Sequence, residues 1–138
     1  MSDEQMKRIL QTARTVASVG VSSNPAKASY GVAAYLKSQG YHIIPVNPSG
    51  GEILGEKVYT DLTSIPDPVD VVQLFRPSEE APTHVRQAIQ IGAKVVWMQE
   101  GIYNQEAAQE ARAAGLEVVM NQCMRANHRR LIGERFQL

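Results

Sequence analysis

The run Gly20-Val21-Ser22-Ser23-Asn24-Pro25-Ala26-Lys27-Ala28-Ser29-Tyr30-Gly31 gathers the residue types that hold an anion. Ser22, Ser23 and Ser29 offer hydroxyls, Lys27 offers a cation, and a helix starting here would add its unpaired first amides. The run is not a good dinucleotide fingerprint, which wants G-x-G-x-x-G and an acidic residue after the second strand for the ribose. Ser22 stands where the middle glycine belongs, the loop is longer, and Asn47 takes the place of the acid. For any one of these serines and asparagines, the plainer role is to fill a turn or a cap.

Catalysis would need positioned acid–base or nucleophilic groups. Glu52, Glu100, Cys123 and His128 are the candidates, and they assemble into neither a carboxylate pair nor a Ser/His/Asp set. The single cysteine leaves no internal disulfide and no cysteine-based zinc site. His42, His84 and His128 are too far apart in sequence to suggest a metal cluster. His42 and His84 read as structural or solvated. The late cluster Arg125, His128, Arg129 and Arg130 lacks interleaved aromatics and is a weak nucleic-acid footprint. Arginines near a helix end more often serve its dipole and last carbonyls, although Arg125 could reach toward the loops.

These residues must be positioned by the elements around them. Ser2 and Gln5 form a capping box ahead of Met6, Ile9, Leu10 and Ala13, which predicts a helix over residues 2–14. Thr15–Val21 reads as a buried strand. The next helix has Ser29 as N-cap and Gly40 just past its end. Strands follow at Tyr41–Val46, Val69–Phe75, Lys94–Met98 and Glu117–Met120, with Lys57–Tyr59 as a short edge strand. Helices are predicted over Ser78–Ile91, Asn104–Ala114 and Met124–Leu131, Pro82 falling near the first turn of its helix. Strands of four to seven residues alternating with helices indicate βαβ units. Their near-continuous apolar runs fit strands covered on both faces. The expectation is an α/β, Rossmann-like, doubly wound and mostly parallel sheet with helices on both faces. In such a sheet a ligand lies outside the carboxyl ends of the strands. That places Ser22–Ser29, Asn47–Gly55, Arg76–Ser78, Gln99–Asn104 and Asn121–Met124 around one edge.

Composition bounds the rest. At 138 residues the chain fits one domain and should bury roughly 68% of its unfolded surface, enough for a core without staples. Fourteen basic residues balance fourteen acidic ones, which argues against nucleic acid as partner. The acidic start Met1-Ser2-Asp3-Glu4 is unlike a signal peptide, and no apolar run approaches the ~18 residues of a membrane span. A reducing, cytoplasmic setting is expected.

Val46-Asn47-Pro48, Val69-Asp70-Val71-Val72-Gln73-Leu74-Phe75-Arg76, Trp97-Met98-Gln99-Glu100-Gly101 and Asn121-Gln122-Cys123 occur in this order. Together with Ser22–Tyr30 they resemble the small stand-alone CoA-binding proteins. That family is similar in turn to the CoA-binding domain of the succinyl-CoA synthetase α subunit. The resemblance spans roughly Thr15 to Ile132. It implies that Gly20, Ser22, Ser23, Lys27, Ser29 and Tyr30 hold phosphates of the CoA nucleotide. Asn47 and Pro48 would line the adenosine side, and Phe75, Arg76, Gln99, Glu100 and Gly101 would bracket the ligand. The synthetase has a lysine within the Pro-x-x-Gly-Gly stretch, where this chain has Pro48-Ser49-Gly50-Gly51. Its phosphorylated histidine lies in a second domain that has no counterpart here. Cys123 would lie near the thiol arm, where a mixed disulfide with CoA is expected to form.

The expected function is binding of coenzyme A or an acyl-CoA as a carrier, sensor or subunit without chemistry of its own. The alternatives are an enzyme component acting on CoA thioesters, an NAD(P)-dependent reductase or regulator, and an interaction protein. A protein partner or a second copy of the chain is left open.

Overall fold

A computed structural model describes residues 1–135. The first helix, α1 (Asp3–Thr12), carries the expected reciprocal box between Ser2 and Gln5 and buries Met6, Ile9 and Leu10. Strand β1 (Thr15–Val19) ends two residues earlier than its apolar run, because Gly20 turns the chain with φ +86°. Helix α2 (Ala28–Ser38) leads to β2 (His42–Val46). A two-residue hairpin, β3 (Glu52–Ile53) against antiparallel β4 (Glu56–Lys57), follows. Its turn residues Leu54 and Gly55 both take positive φ, as such a turn requires, and Lys37 Nζ holds the Leu54 carbonyl. The expected edge strand at Lys57–Tyr59 is thus split: Lys57 closes the hairpin, and Tyr59 forms a single parallel bridge with Val46.

The second half runs β5 (Val71–Leu74), α3 (Ala81–Gln90), β6 (Val95–Met98), α4 (Gln105–Ala113), β7 (Glu117–Val119) and α5 (Met124–Leu131). The helix expected over Ser78–Ile91 opens with a 3-10 turn at Ser78–Glu80, and Pro82 sits at the start of its α-helical part. There the missing amide proton costs nothing.

The five main strands form one parallel sheet in the order β2-β1-β5-β6-β7. Successive residues point to opposite faces, so each strand feeds two cores. Ala17, Val72, Val96 and Met98 pack against the small face of α3 and α4, built from Ala81, Val85, Ala88, Ala107, Ala108 and Ala111. Val16, Val71, Val95 and Trp97 pack under α1, α2 and α5. This is the doubly wound α/β fold expected from the alternation. Connections leave β1 toward β2 and leave β5 toward β6, so strand order reverses between β1 and β5. A crevice opens there at the carboxyl edge.

Candidate functional site

The loop after β1 is shaped by its own side chains. Ser22 N–H donates to Ser29 Oγ at 2.9 Å, Asn24 N–H to Ser22 Oγ at 3.0 Å, and Ala26 N–H to Asn24 Oδ1 at 2.9 Å. Ser29 is therefore not the N-cap. Lys27 holds that position without a side-chain cap bond, and Ser29 reaches back from inside the first turn to pin the loop. Both hydroxyls accept from the backbone and still carry a proton to donate outward. Ser23 and Lys27 are exposed beside them.

Arg125, expected either to serve its helix end or to reach toward the loops, lies across this loop. Arg125 Nη1 sits 3.1 Å from the point a Cβ on Gly31 would occupy, so its guanidinium rests on the first turn of α2. Gly31 leaves room for it. Among the described residues Arg125 has no ion-pair or hydrogen-bond partner. Its neighbours in the same basic cluster are engaged: Arg130 grips Asp3 at 2.8 and 3.0 Å, and Arg129 lies over the Tyr35 ring.

The loop after β2 is tied to the first. Asn47 Nδ2 donates to the Val21 carbonyl at 3.0 Å, while its Oδ1 accepts from Ser49 N at 2.9 Å and Ser49 Oγ at 2.7 Å. Asn47 thus joins two loops where an acid would bind ribose. Beside it, on the α3 side of the crevice, lies a cleft with about 240 Å³ of room. Gly20, Asn47, Pro48 and Arg76 line it, as do Thr60, Asp61, Glu80, His84 and Gln87. His84 therefore faces the crevice rather than solvent or core. Arg76 is paired at two points with Glu80, Nε to Oε1 at 3.2 Å and Nη2 to Oε2 at 2.8 Å. That bond holds the Glu80 carboxyl below its usual range. His84 Nε2 lies 3.6 Å from Glu80 Oε1, and burial pushes the ring below the ordinary histidine value. Glu80 and His84, four positions apart at the start of α3, share one face, and that spacing was the available signal; Arg76 joins them from the loop before the 3-10 turn.

On the opposite side of the crevice, Tyr30, Phe75 and Cys123 form a half-buried rim over the α2–α5 core. A family model described as "CoA binding domain" matches residues 14–129. The chain belongs to that CoA-binding family. It is 38% identical over 127 residues to "Uncharacterized protein YneT" of Bacillus subtilis, covering 92% of this chain and 94% of that one. A solved "hypothetical protein from Pyrococcus horikoshii OT3" superposes with a TM-score of 0.93 at 43% identity, covering 96% of this chain and 94% of that one. The α subunit of an ADP-forming acetate–CoA ligase I of Pyrococcus furiosus is 37% identical over 89 residues, 60% of this chain but 19% of the ligase subunit.

Not every residue matched to the CoA-binding pattern faces the crevice. Gln99 is only 3% exposed, and its Oε1 accepts from Met124 N at 3.3 Å, holding the start of α5. Its Nε2 is buried without a partner. Gly101 N–H is fixed by Asn121 Oδ1 at 2.7 Å, while Glu100 points to solvent. Behind them, Ser18 Oγ donates to Gln73 Oε1 at 2.9 Å, a polar pair inside the α2–α5 face. Cys123 is the free, half-buried N-cap of α5.

Proposed function

We propose that this chain binds CoA or an acyl-CoA across its carboxyl edge and acts as a carrier, a sensor or a subunit presenting the thiol. The observation that carries the reading is the serine loop at the start of α2 with Arg125 laid across it. Hydroxyl donors, open helix amides and an unpaired guanidinium converge within one turn, the combination that holds phosphate. The Tyr30–Phe75–Cys123 rim offers apolar contact for the pantetheine arm. Binding without chemistry is supported by how the titratable groups are used. Arg76 and Glu80 pair with each other, His84 Nε2 stands 3.6 Å from Glu80 without a hydrogen bond, and the hydroxyls of Ser22 and Ser29 accept backbone protons.

The test is a thermal-shift titration with CoA, dephospho-CoA, acetyl-CoA, NAD and NADP. A ligand at about 100 times its Kd stabilises the native state by about 2.7 kcal/mol. That moves the Tm of a domain this size by several degrees. A shift with CoA and a smaller one with dephospho-CoA supports the reading and a contact to the 3′-phosphate. A shift with NAD or NADP alone replaces it with a nicotinamide-dependent function.

A further inference from the structure

Helices α2 and α5 meet along a seam with one shared spacing. Gly31 and Tyr35 stand one turn apart on α2, and Arg125 and Arg129 stand one turn apart on α5. Arg125 rests on Gly31, and Arg129 lies 4.6 Å from the centre of the Tyr35 ring. His128 turns inward between those arginines, 2% exposed, with Nδ1 2.7 Å from Tyr35 Oη. Tyr35 is fully buried, and among the described residues its hydroxyl has no acceptor but His128. An unpaired buried hydroxyl proton is costly, so Tyr35 donates to Nδ1 and the neutral ring keeps its own proton on Nε2. The ion pair of Arg130 with Asp3, which ties α5 to α1, is exposed on both sides, and such pairs hold weakly. The buried bond is the firmer hold on the helix.

We propose that the Tyr35–His128 bond is the clasp that seats Arg125 at the start of α2, and that a proton on His128 opens it and weakens CoA binding. The inference rests on the CoA reading above, with Arg125 as a phosphate contact, and adds the residues that position it. On a protonated ring both nitrogens donate. Two protons then face each other across the 2.7 Å gap, and Tyr35 has no second acceptor to turn to. The grip on α5 is lost one turn from Arg125.

The surroundings keep the clasp closed until the medium turns acid. Tyr35 and Tyr41 meet the His128 ring edge-to-face, from α2 and from the residue before β2. Arg14 and Arg135 line the same cavity of about 50 Å³ as His128 and Tyr41, at the edge of the sheet opposite the crevice. Arg125 and Arg129 act on Tyr35 from α5 itself. Among the described residues the one carboxylate acting on the ring, Glu134, lies 3.7 Å from Arg129 Nε. Burial first, and then Arg135, hold the ring below its ordinary 6.5 against Glu134. The clasp is therefore formed at neutral pH and opens as pH falls below 6.5.

Calorimetry of the full chain with CoA from pH 8 to 5.5 tests this. The 3′-phosphate titrates in the same window, but equally in every variant, so ratios between variants isolate the share of His128. His128→Gln keeps an acceptor for Tyr35 that takes no proton. It should match the unaltered chain at pH 8 and bind CoA about tenfold tighter than it at pH 5.5, the scale of one charged contact to phosphate. Tyr35→Phe keeps the ring and loses the bond. It should weaken CoA at pH 8 by up to about tenfold and cause no further loss in an Arg125→Ala background, whereas independent effects would add. Parallel pH profiles for His128→Gln and the unaltered chain, full CoA affinity in Tyr35→Phe, or an equal loss with and without Arg125 would each overturn the inference while leaving CoA binding in place. Absence of CoA binding at pH 8 in the unaltered chain overturns the CoA reading and this inference together.

Discussion

Gly20 and Arg76 share one space. A Cβ on Gly20 would lie 2.7 Å from Arg76 Cδ and 3.0 Å from Cγ, and 3.3 Å from the Phe75 carbonyl carbon. Real side chains do not approach so closely, so the end of β1 must be bare for Arg76, the second residue after β5, to cross it. Gly20 also takes φ +86°, where other residues are strained. In a dinucleotide fold such a glycine lets backbone approach a pyrophosphate; here it admits the stem of an arginine that walls the cleft.

Gly20→Ala therefore meets two penalties, a positive φ and a collision, and should destabilise the fold by about 1–3 kcal/mol. The two separate in a double-mutant cycle. Adding Arg76→Ala should recover the collision share and leave the φ share. Chemical denaturation of the four chains reads the coupling, and strict additivity would show that the contact carries no energy.

Arg125→Ala should weaken CoA binding by about ten- to a hundredfold, the range for a charged hydrogen bond to phosphate. Lys27→Ala should weaken it less, because Lys27 is exposed and screened. Among the described residues neither side chain is tied into the structure by an ion pair, so Tm should stay within about a degree. The loss in Lys27→Ala should fade as salt is raised. Full affinity in Arg125→Ala would remove the phosphate site from the start of α2.

The alternation of short apolar runs with helices made the parallel sheet legible, because periodicity depends on burial and burial fixed the faces. Which edge carries the loops was legible for the same reason. What stayed hidden is contact across distant segments. That Arg125 could reach toward the loops was legible, but its seat on Gly31, 94 positions earlier, depends on α5 packing beside α2. Asp61 reaches the cleft through a turn that is polar in sequence and unremarkable in pattern. Ser29 read as a cap since serine favours caps, yet its hydroxyl was recruited by Ser22 across the loop. Gln99 looked like a loop residue, but the end of β6 turns it inward to hold Met124.

Cys123 offers a chemical test of where the thiol arm lies. With CoA disulfide, its thiolate would attack one sulfur, form the protein–CoA disulfide and expel one CoA thiolate. Intact-mass spectrometry should show a single CoA adduct, lost on reduction and absent from Cys123→Ser. An adduct that forms equally fast in Arg125→Ala would show that the reaction does not depend on CoA seated at the serine loop.

Acid should loosen this fold through its histidines before its carboxylates. His128 is 2% exposed, its Nδ1 lies 2.7 Å from Tyr35 Oη, and the edges of Tyr35 and Tyr41 pack against its ring. Burial first, and then the charge of Arg135, push it below the ordinary value of 6.5, against a smaller opposing effect of Glu134. His84 is shifted the same way by burial, with Glu80 opposing. When folded histidines sit below their unfolded value, the unfolded chain binds more protons in that window, so stability falls with pH. The loss should begin as pH drops through 6.5 and level off once the native rings protonate. Asp61 and Glu80 are likewise held below ordinary values of 3.8 and 4.5, so their contribution is lost only at lower pH. Denaturation midpoints measured from pH 8 to 5 should fall below 6.5, and His128→Gln should flatten that slope although it lowers stability at every pH. A slope unchanged in His128→Gln would move the acid sensitivity to His84, where His84→Gln would flatten it instead.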